Sequence, residues 1–135
     1  MLHGDLTDQI IKIYYQVYNE LGYGFLEKVY ERAMVISLKK ANLYCVNQVP
    51  IKVYFHKEEI GDYYADIIVE NLVIIELKAA EAIVEAHENQ LVNYLKATDK
   101  EVGLLLNFGK KPELRRKLFE NKFKKNLPPN LSKSV

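Results

Sequence analysis

The chain has 135 residues, 49% of them hydrophobic, and its 19 basic and 18 acidic side chains give a formal net charge of +1. That length suits one domain with a substantial core, and four prolines and six glycines beside abundant Ile, Val, Leu and Tyr exclude disorder and low complexity. No apolar run approaches the ~18 residues of a membrane helix, Met1-Leu2-His3-Gly4-Asp5 has no signal-peptide character, and the lone Cys45 cannot form an internal disulfide, so a cytoplasmic protein is expected.

Leu6, Ile10, Ile13, Val17 and Leu21 recur at helical spacing behind Asp5 and Thr7, either of which can cap. Gly22-Tyr23-Gly24 then makes a tight link, since glycine reaches positive φ without steric cost. A second helix is predicted over 25–40. Cys45, Val49, Ile51, Val53 and Phe55 share one parity, and Gln48, Lys52, Tyr54 and His56 the other, which predicts a strand with one wet face. Strands at 60–69 and 73–79 follow, joined by Glu70-Asn71-Leu72. A helix at 83–97 precedes Val102-Gly103-Leu104-Leu105-Leu106, which is apolar enough for a strand buried on both faces.

Pro112 can open a last helix over about 112–125 that carries Leu114, Leu118, Phe119 and Phe123, with 126–135 as a flexible tail. From Lys110 to Lys125 eight basic side chains meet two acidic ones, a local +6 that leaves residues 1–109 at −6, with Lys133 supplying the last +1. The near-neutral total is thus a cancellation. Such asymmetry fits a polyanionic partner, though a charge run is more often a solvated helix face. The element order α-α-β-β-β-α-β-α describes one α/β domain with a hairpin-rich mixed sheet.

The chemistry concentrates in the hairpin. A three-residue loop sets Val69 opposite Val73, which puts Asp66 opposite Glu76 and Tyr64 opposite Lys78. One face then holds Tyr63, Ala65, Ile67 and Val69 against Val73, Ile75 and Leu77; the other gathers Asp66, Glu76 and Lys78. Carboxylates at that cross-strand spacing of ~5 Å repel unless something positive joins them. A divalent cation on hard oxygen ligands answers that repulsion, with Lys78 beside it to position a water. An ion pair of Lys78 with Asp66 or Glu76 on a solvated sheet answers it equally well. Glu27, in the first turn of the second helix, and the polar stripe His87, Gln90 and Tyr94 lie on helices that could reach the hairpin, or are simply a dipole-favoured acid and a solvated face.

Asp66, nine residues, then Glu76-Leu77-Lys78 resembles the D-x(n)-E-x-K core of the PD-(D/E)XK nuclease superfamily. Gly24-Phe25-Leu26-Glu27-Lys28-Val29-Tyr30 resembles the signature of the GxxExxY family of small prokaryotic proteins. The similarity continues through Gln48-Val49-Pro50, Ile75-Glu76-Leu77-Lys78-Ala79, His87-Glu88-Asn89-Gln90-Leu91, Asn93-Tyr94-Leu95-Lys96 and Leu106-Asn107-Phe108-Gly109, covering roughly residues 6–110. It implies a restriction-endonuclease-like αβββαβ core, a mixed sheet flanked by helices, in a single domain over residues 1–125. It further implies that Glu27, Asp66 and Glu76 bind Mg²⁺, with Mn²⁺ as a substitute, that Lys78 orients the attacking water, and that Gln90 and Tyr94 assist.

The expected activity is hydrolysis of phosphodiester bonds in nucleic acid, DNA before RNA, with Lys110, Lys111, Arg115 and Arg116 holding phosphates. A catalytically silent binding or assembly module of the same fold, acting as a homodimer or with a partner protein, is the alternative. A small-molecule phosphohydrolase is a third reading. No membrane partner is expected.

Overall fold

The computed structural model describes residues 1–128, and the last seven residues of the expected tail lie outside them. Helix α1 spans Gly4–Leu21 and begins ahead of both expected caps, after His3 in a left-handed conformation. Thr7 is buried instead, its hydroxyl donating to the Gly4 carbonyl at 3.1 Å. Gly22 and Gly24 both take positive φ, turning the chain into α2, Glu27–Lys40. There follow β1, Cys45–Phe55; β2, Glu58–Val69; β3, Val73–Lys78; α3, Glu85–Ala97; β4, Val102–Phe108; and β5, Pro112–Leu118.

The five strands form one sheet in the order β1-β2-β3-β4-β5. Only β3 and β4 run parallel, joined by the α3 crossover; the other neighbours are antiparallel. Ile10, Tyr14 and Val17 of α1, with Tyr30, Met34 and Leu38 of α2, pack on one face against Ile67, Val69, Ile75, Leu104 and Leu106. Leu91, Tyr94 and Leu95 of α3 cover the other face against Ile51, Ile68, Ile74 and Leu105. Every residue of β4 is buried, as its apolar run required. At Gly103 a β-carbon would lie 2.6 Å from a Leu91 methyl, so the missing side chain lets α3 sit down on the sheet. These three helices and the mixed sheet make an α/β, restriction-endonuclease-like fold. No helix among the described residues is long and apolar enough to cross a membrane.

The expected C-terminal helix at 112–125 is not formed. Pro112–Leu118 is a strand paired with β4, and only Asn121–Phe123 makes a single 3-10 turn. Leu114 and Leu118 fit helical spacing, but β4 would otherwise leave a row of backbone donors and acceptors unpaired, and that tertiary demand outweighs local pattern. Pro112 is tolerated because it is the first residue of an edge strand. The basic residues on that strand also suit an edge that must not recruit another sheet.

Candidate active site

The β2–β3 hairpin has the register its loop predicted: Val69 faces Val73 and Ile67 faces Ile75. Glu70 and Asn71 both take positive φ to turn it. Beyond Ile67 and Ile75 the regular ladder ends. There the Asp66 amide donates to Glu76 Oε2 at 2.9 Å, and the Leu77 amide donates to Asp66 Oδ2 at 2.8 Å. Side-chain carboxylates have taken the place of backbone carbonyls. Lys78 aligns with Asn107 of β4, and the expected Tyr64–Lys78 pair is not part of the β2–β3 register.

The alternation along β2 also breaks at Asp66. Ala65 packs in the α3 cluster with Ile51, whereas Ile67 and Val69 pack under α1 and α2. Tyr63 likewise meets Tyr94 of α3, with ring centroids 5.9 Å apart. The expectation that Tyr63, Ala65, Ile67 and Val69 share one face therefore fails. Opposite Asp66 on β1, Gln48 has φ 52°, a left-handed residue inside a strand, and such a kink shifts the phase of the pleat.

Glu76 is only 3% exposed. Burial first, and then the neighbouring Asp66 charge, push its carboxyl up to about 9. Lys78 draws it down only weakly and makes no ion pair with either carboxylate among the described residues. The surface ion pair that spacing allowed is thus not what forms. Instead Lys78 Nζ donates to Gln90 Oε1 at 2.9 Å, and Gln90 Nε2 donates to the Tyr94 hydroxyl at 3.1 Å. Burial, followed by the Glu76 charge, raises the Tyr94 phenol to about 12. The stripe expected on α3 is therefore joined to the hairpin through Gln90 and Tyr94. His87 instead closes the start of α3, its Nδ1 accepting the Val84 amide at 3.2 Å.

Glu27 does not join Asp66 and Glu76 in a group of three that could hold a metal among the described residues. It is exposed in the first turn of α2, and no hydrogen bond or ion pair holds it among the described residues. The helical carboxylate tied to the site is one turn further on. Glu31, 6% exposed, accepts Gln48 Nε2 at 2.6 Å on one oxygen and Asn47 Nδ2 at 3.1 Å on the other. The same Gln48 nitrogen lies 3.5 Å from Asp66 Oδ1. Sequence reasoning passed over Glu31, whose only signal is its place directly after Tyr30 on the turn following Glu27.

A family model described as the PD-(D/E)XK nuclease superfamily matches residues 4–117. The chain belongs to that superfamily. No match was found among curated proteins or among solved structures. Within the PD-(D/E)XK frame, the spacing from Asp66 to Glu76 and Lys78 falls where β2 and β3 part, between the two helical layers.

Asp66 and Glu76 suit a divalent cation. The backbone bonds occupy one oxygen of each carboxylate, Oδ2 and Oε2, leaving Oδ1 and Oε1 free of backbone donors. Hard oxygen donors in a like-charged pair are what Mg²⁺ or Mn²⁺ takes, and Mg²⁺ uses one or two protein carboxylates with water and phosphate completing its shell. No group of three or more His, Cys, Asp or Glu gathers for a metal among the described residues.

The basic segment divides. Arg115 lies 3.9 Å from Glu88, Lys117 lies 2.6 Å from it, and Arg116 donates to the Leu2 carbonyl. Lys124 is buried, its Nζ donating to the Thr98 and Lys100 carbonyls at 2.7 and 2.6 Å. Lys110 and Lys111 are exposed and unpaired among the described residues, so two of the four expected phosphate holders have their charge uncommitted.

Proposed function

We propose that this protein is a nuclease of the GxxExxY family that hydrolyses phosphodiester bonds in nucleic acid with Mg²⁺ or Mn²⁺, DNA being the first substrate to test. One observation carries this reading: Asp66 and Glu76 meet where the hairpin ladder opens, with Lys78 held beside them by Gln90 rather than spent on an ion pair. Asp66 and Glu76 hold the cation, which supplies Lewis acidity against the charge building on the phosphoryl oxygens. Lys78 orients the attacking water and adds a positive charge near the phosphate. Gln90 fixes the Lys78 ammonium, and Tyr94 fixes Gln90. Glu31 steadies Asp66 through Gln48. Lys110 and Lys111 add affinity that depends on salt and not on sequence.

The test is incubation of the purified chain with single- and double-stranded DNA and RNA, in Mg²⁺, Mn²⁺ or EDTA, beside Lys78→Ala. Metal-dependent cleavage lost in the variant is expected. Nucleic-acid binding without cleavage, or full cleavage by Lys78→Ala, overturns the reading; the first of these would make the chain a binding module.

A further inference from the structure

Between the end of the β1–β2 hairpin and α3 opens a cleft of about 590 Å³, within the size range of small-ligand sites. Its walls combine three kinds of group. Phe55 and Tyr63 offer half-exposed aromatic faces from the hairpin. Asn89 and Asn93 stand exposed on α3 and present amides, each able to donate and accept at once. Lys96, one turn beyond, supplies a positive charge. No acidic residue among the described residues lines the cleft, although residues 1–109 carry a net −6. Its lining includes Gln90 and Tyr94, the residues that hold Lys78 beside Asp66 and Glu76, so the cleft adjoins the candidate active site through those two side chains.

We propose that this cleft takes one unpaired nucleotide next to the scissile phosphate, and that the preferred substrate is therefore single-stranded DNA or a duplex with a frayed or flapped end. This rests on the nuclease reading for the position of the scissile bond. Each base has a π-face, which Tyr63 and Phe55 can stack upon whatever the sequence. Each base edge mixes donors and acceptors, which the two asparagine amides can match. Lys96, whose ammonium lies 5.5 Å from the centre of the Phe119 ring, adds positive charge for the flanking phosphate. In an intact duplex the faces are stacked and the edges paired, so neither the aromatic nor the amide groups of this cleft could reach them without unpairing. The absence of carboxylates along the cleft removes the repulsion that the acidic body would otherwise impose on a polyanion.

Binding is measured on the full chain in EDTA, where cleavage by a metal-dependent nuclease cannot occur. The probes are a ten-nucleotide DNA single strand carrying 2-aminopurine and the blunt duplex of the same sequence. Wild type should bind the single strand more tightly and quench the 2-aminopurine by stacking. Tyr63→Ala and Asn93→Asp should each weaken single-strand binding about ten-fold or more, remove or reduce the quench, and leave duplex binding unchanged. Asn93 is exposed, so its variant keeps the fold even if Tyr63→Ala loosens the hairpin. Absence of single-strand binding, equal losses on both probes, or no loss in Asn93→Asp overturns the proposal. A selective single-strand site in a protein that cleaves nothing in Mg²⁺ would keep the cleft and sink the nuclease; cleavage with unselective binding would do the reverse.

Discussion

Glu76 accepts the amide proton of Asp66 at 2.9 Å, and Asp66 accepts that of Leu77 at 2.8 Å, so each carboxylate is anchored by the other's strand. The anchoring holds two acids together inside the protein, with Glu76 pushed up to about 9 from its ordinary 4.5. Without metal, the native chain keeps the Glu76 proton at pH values where the unfolded chain has lost it. Its contribution to stability is whole below about 4.5 and drains away as pH rises toward 9. Thermal unfolding in EDTA should show wild type losing several kcal/mol across that window, on the order of 6 kcal/mol if the whole shift is expressed. Glu76→Gln, whose amide never ionises, should be flat there and more stable at alkaline pH. Parallel curves would mean that another group carries the dependence. Mg²⁺ should restore wild type at high pH and move Glu76→Gln much less, because the variant keeps only the Asp66 carboxylate for the cation.

Lys78 and Gln90 should separate by size of effect. Removing the ammonium in Lys78→Ala removes the charge aimed at the phosphate, and cleavage should fall on the order of 10²–10⁴-fold. Gln90→Ala leaves that charge in place but unheld, so a loss of about ten-fold is expected, with Mn²⁺ affinity retained in both. Calorimetry of Mn²⁺ binding beside initial rates checks this. A Gln90→Ala loss as large as that of Lys78→Ala would give Gln90 a direct role.

The hairpin was the legible part of this chain. Glu70-Asn71-Leu72 fixes the loop, the loop fixes the register, and the register brings Asp66 beside Glu76 just past its last pair, Ile67 with Ile75. What hid were features that no single segment decides. The phase break at Asp66 depends on a left-handed Gln48 in a different strand, seventeen residues back from Ala65. Strand β5 depends on the open edge of β4, because Leu114 and Leu118 alone read as a helix stripe. Glu31 depends on Asn47 and Gln48 arriving beside it. Glu27 stands exposed in the first turn of α2, so its part in the site is a matter for the variants below.

The two glutamates of α2 give a sharp contrast. Glu31→Ala strips the Asn47 and Gln48 amides of a buried acceptor, which should cost about 2 kcal/mol and release Gln48 from its place beside Asp66. Cleavage should fall with it. Glu27→Ala, at an exposed position without partners, should change stability by less than about 0.5 kcal/mol. Urea unfolding of both variants checks the first part. Unaltered Mn²⁺ affinity in Glu27→Ala would confine the metal to Asp66 and Glu76; a marked drop would return Glu27 to the ligand set.

The lysines of the basic segment should divide into holders of the fold and holders of phosphate. Lys124 is 1% exposed and ties the Thr98 and Lys100 carbonyls, just past α3, to the chain after β5. Losing it orphans two acceptors, so Lys124→Ala should destabilise by about 2 kcal/mol. Its effect on nucleic-acid affinity should not vary with salt, since a buried ammonium spent on carbonyls releases no counterions from a nucleic acid. Lys110→Ala with Lys111→Ala should do the opposite. Their ammonium groups are exposed, so stability should hold within about 0.5 kcal/mol. Each phosphate contact removed should flatten the salt dependence of log affinity by roughly 0.7 on a single strand or 0.9 on a duplex. Binding titrations at several salt concentrations in EDTA measure that slope. A slope altered by Lys124→Ala, or untouched by the double substitution, would place the phosphate track elsewhere on the protein.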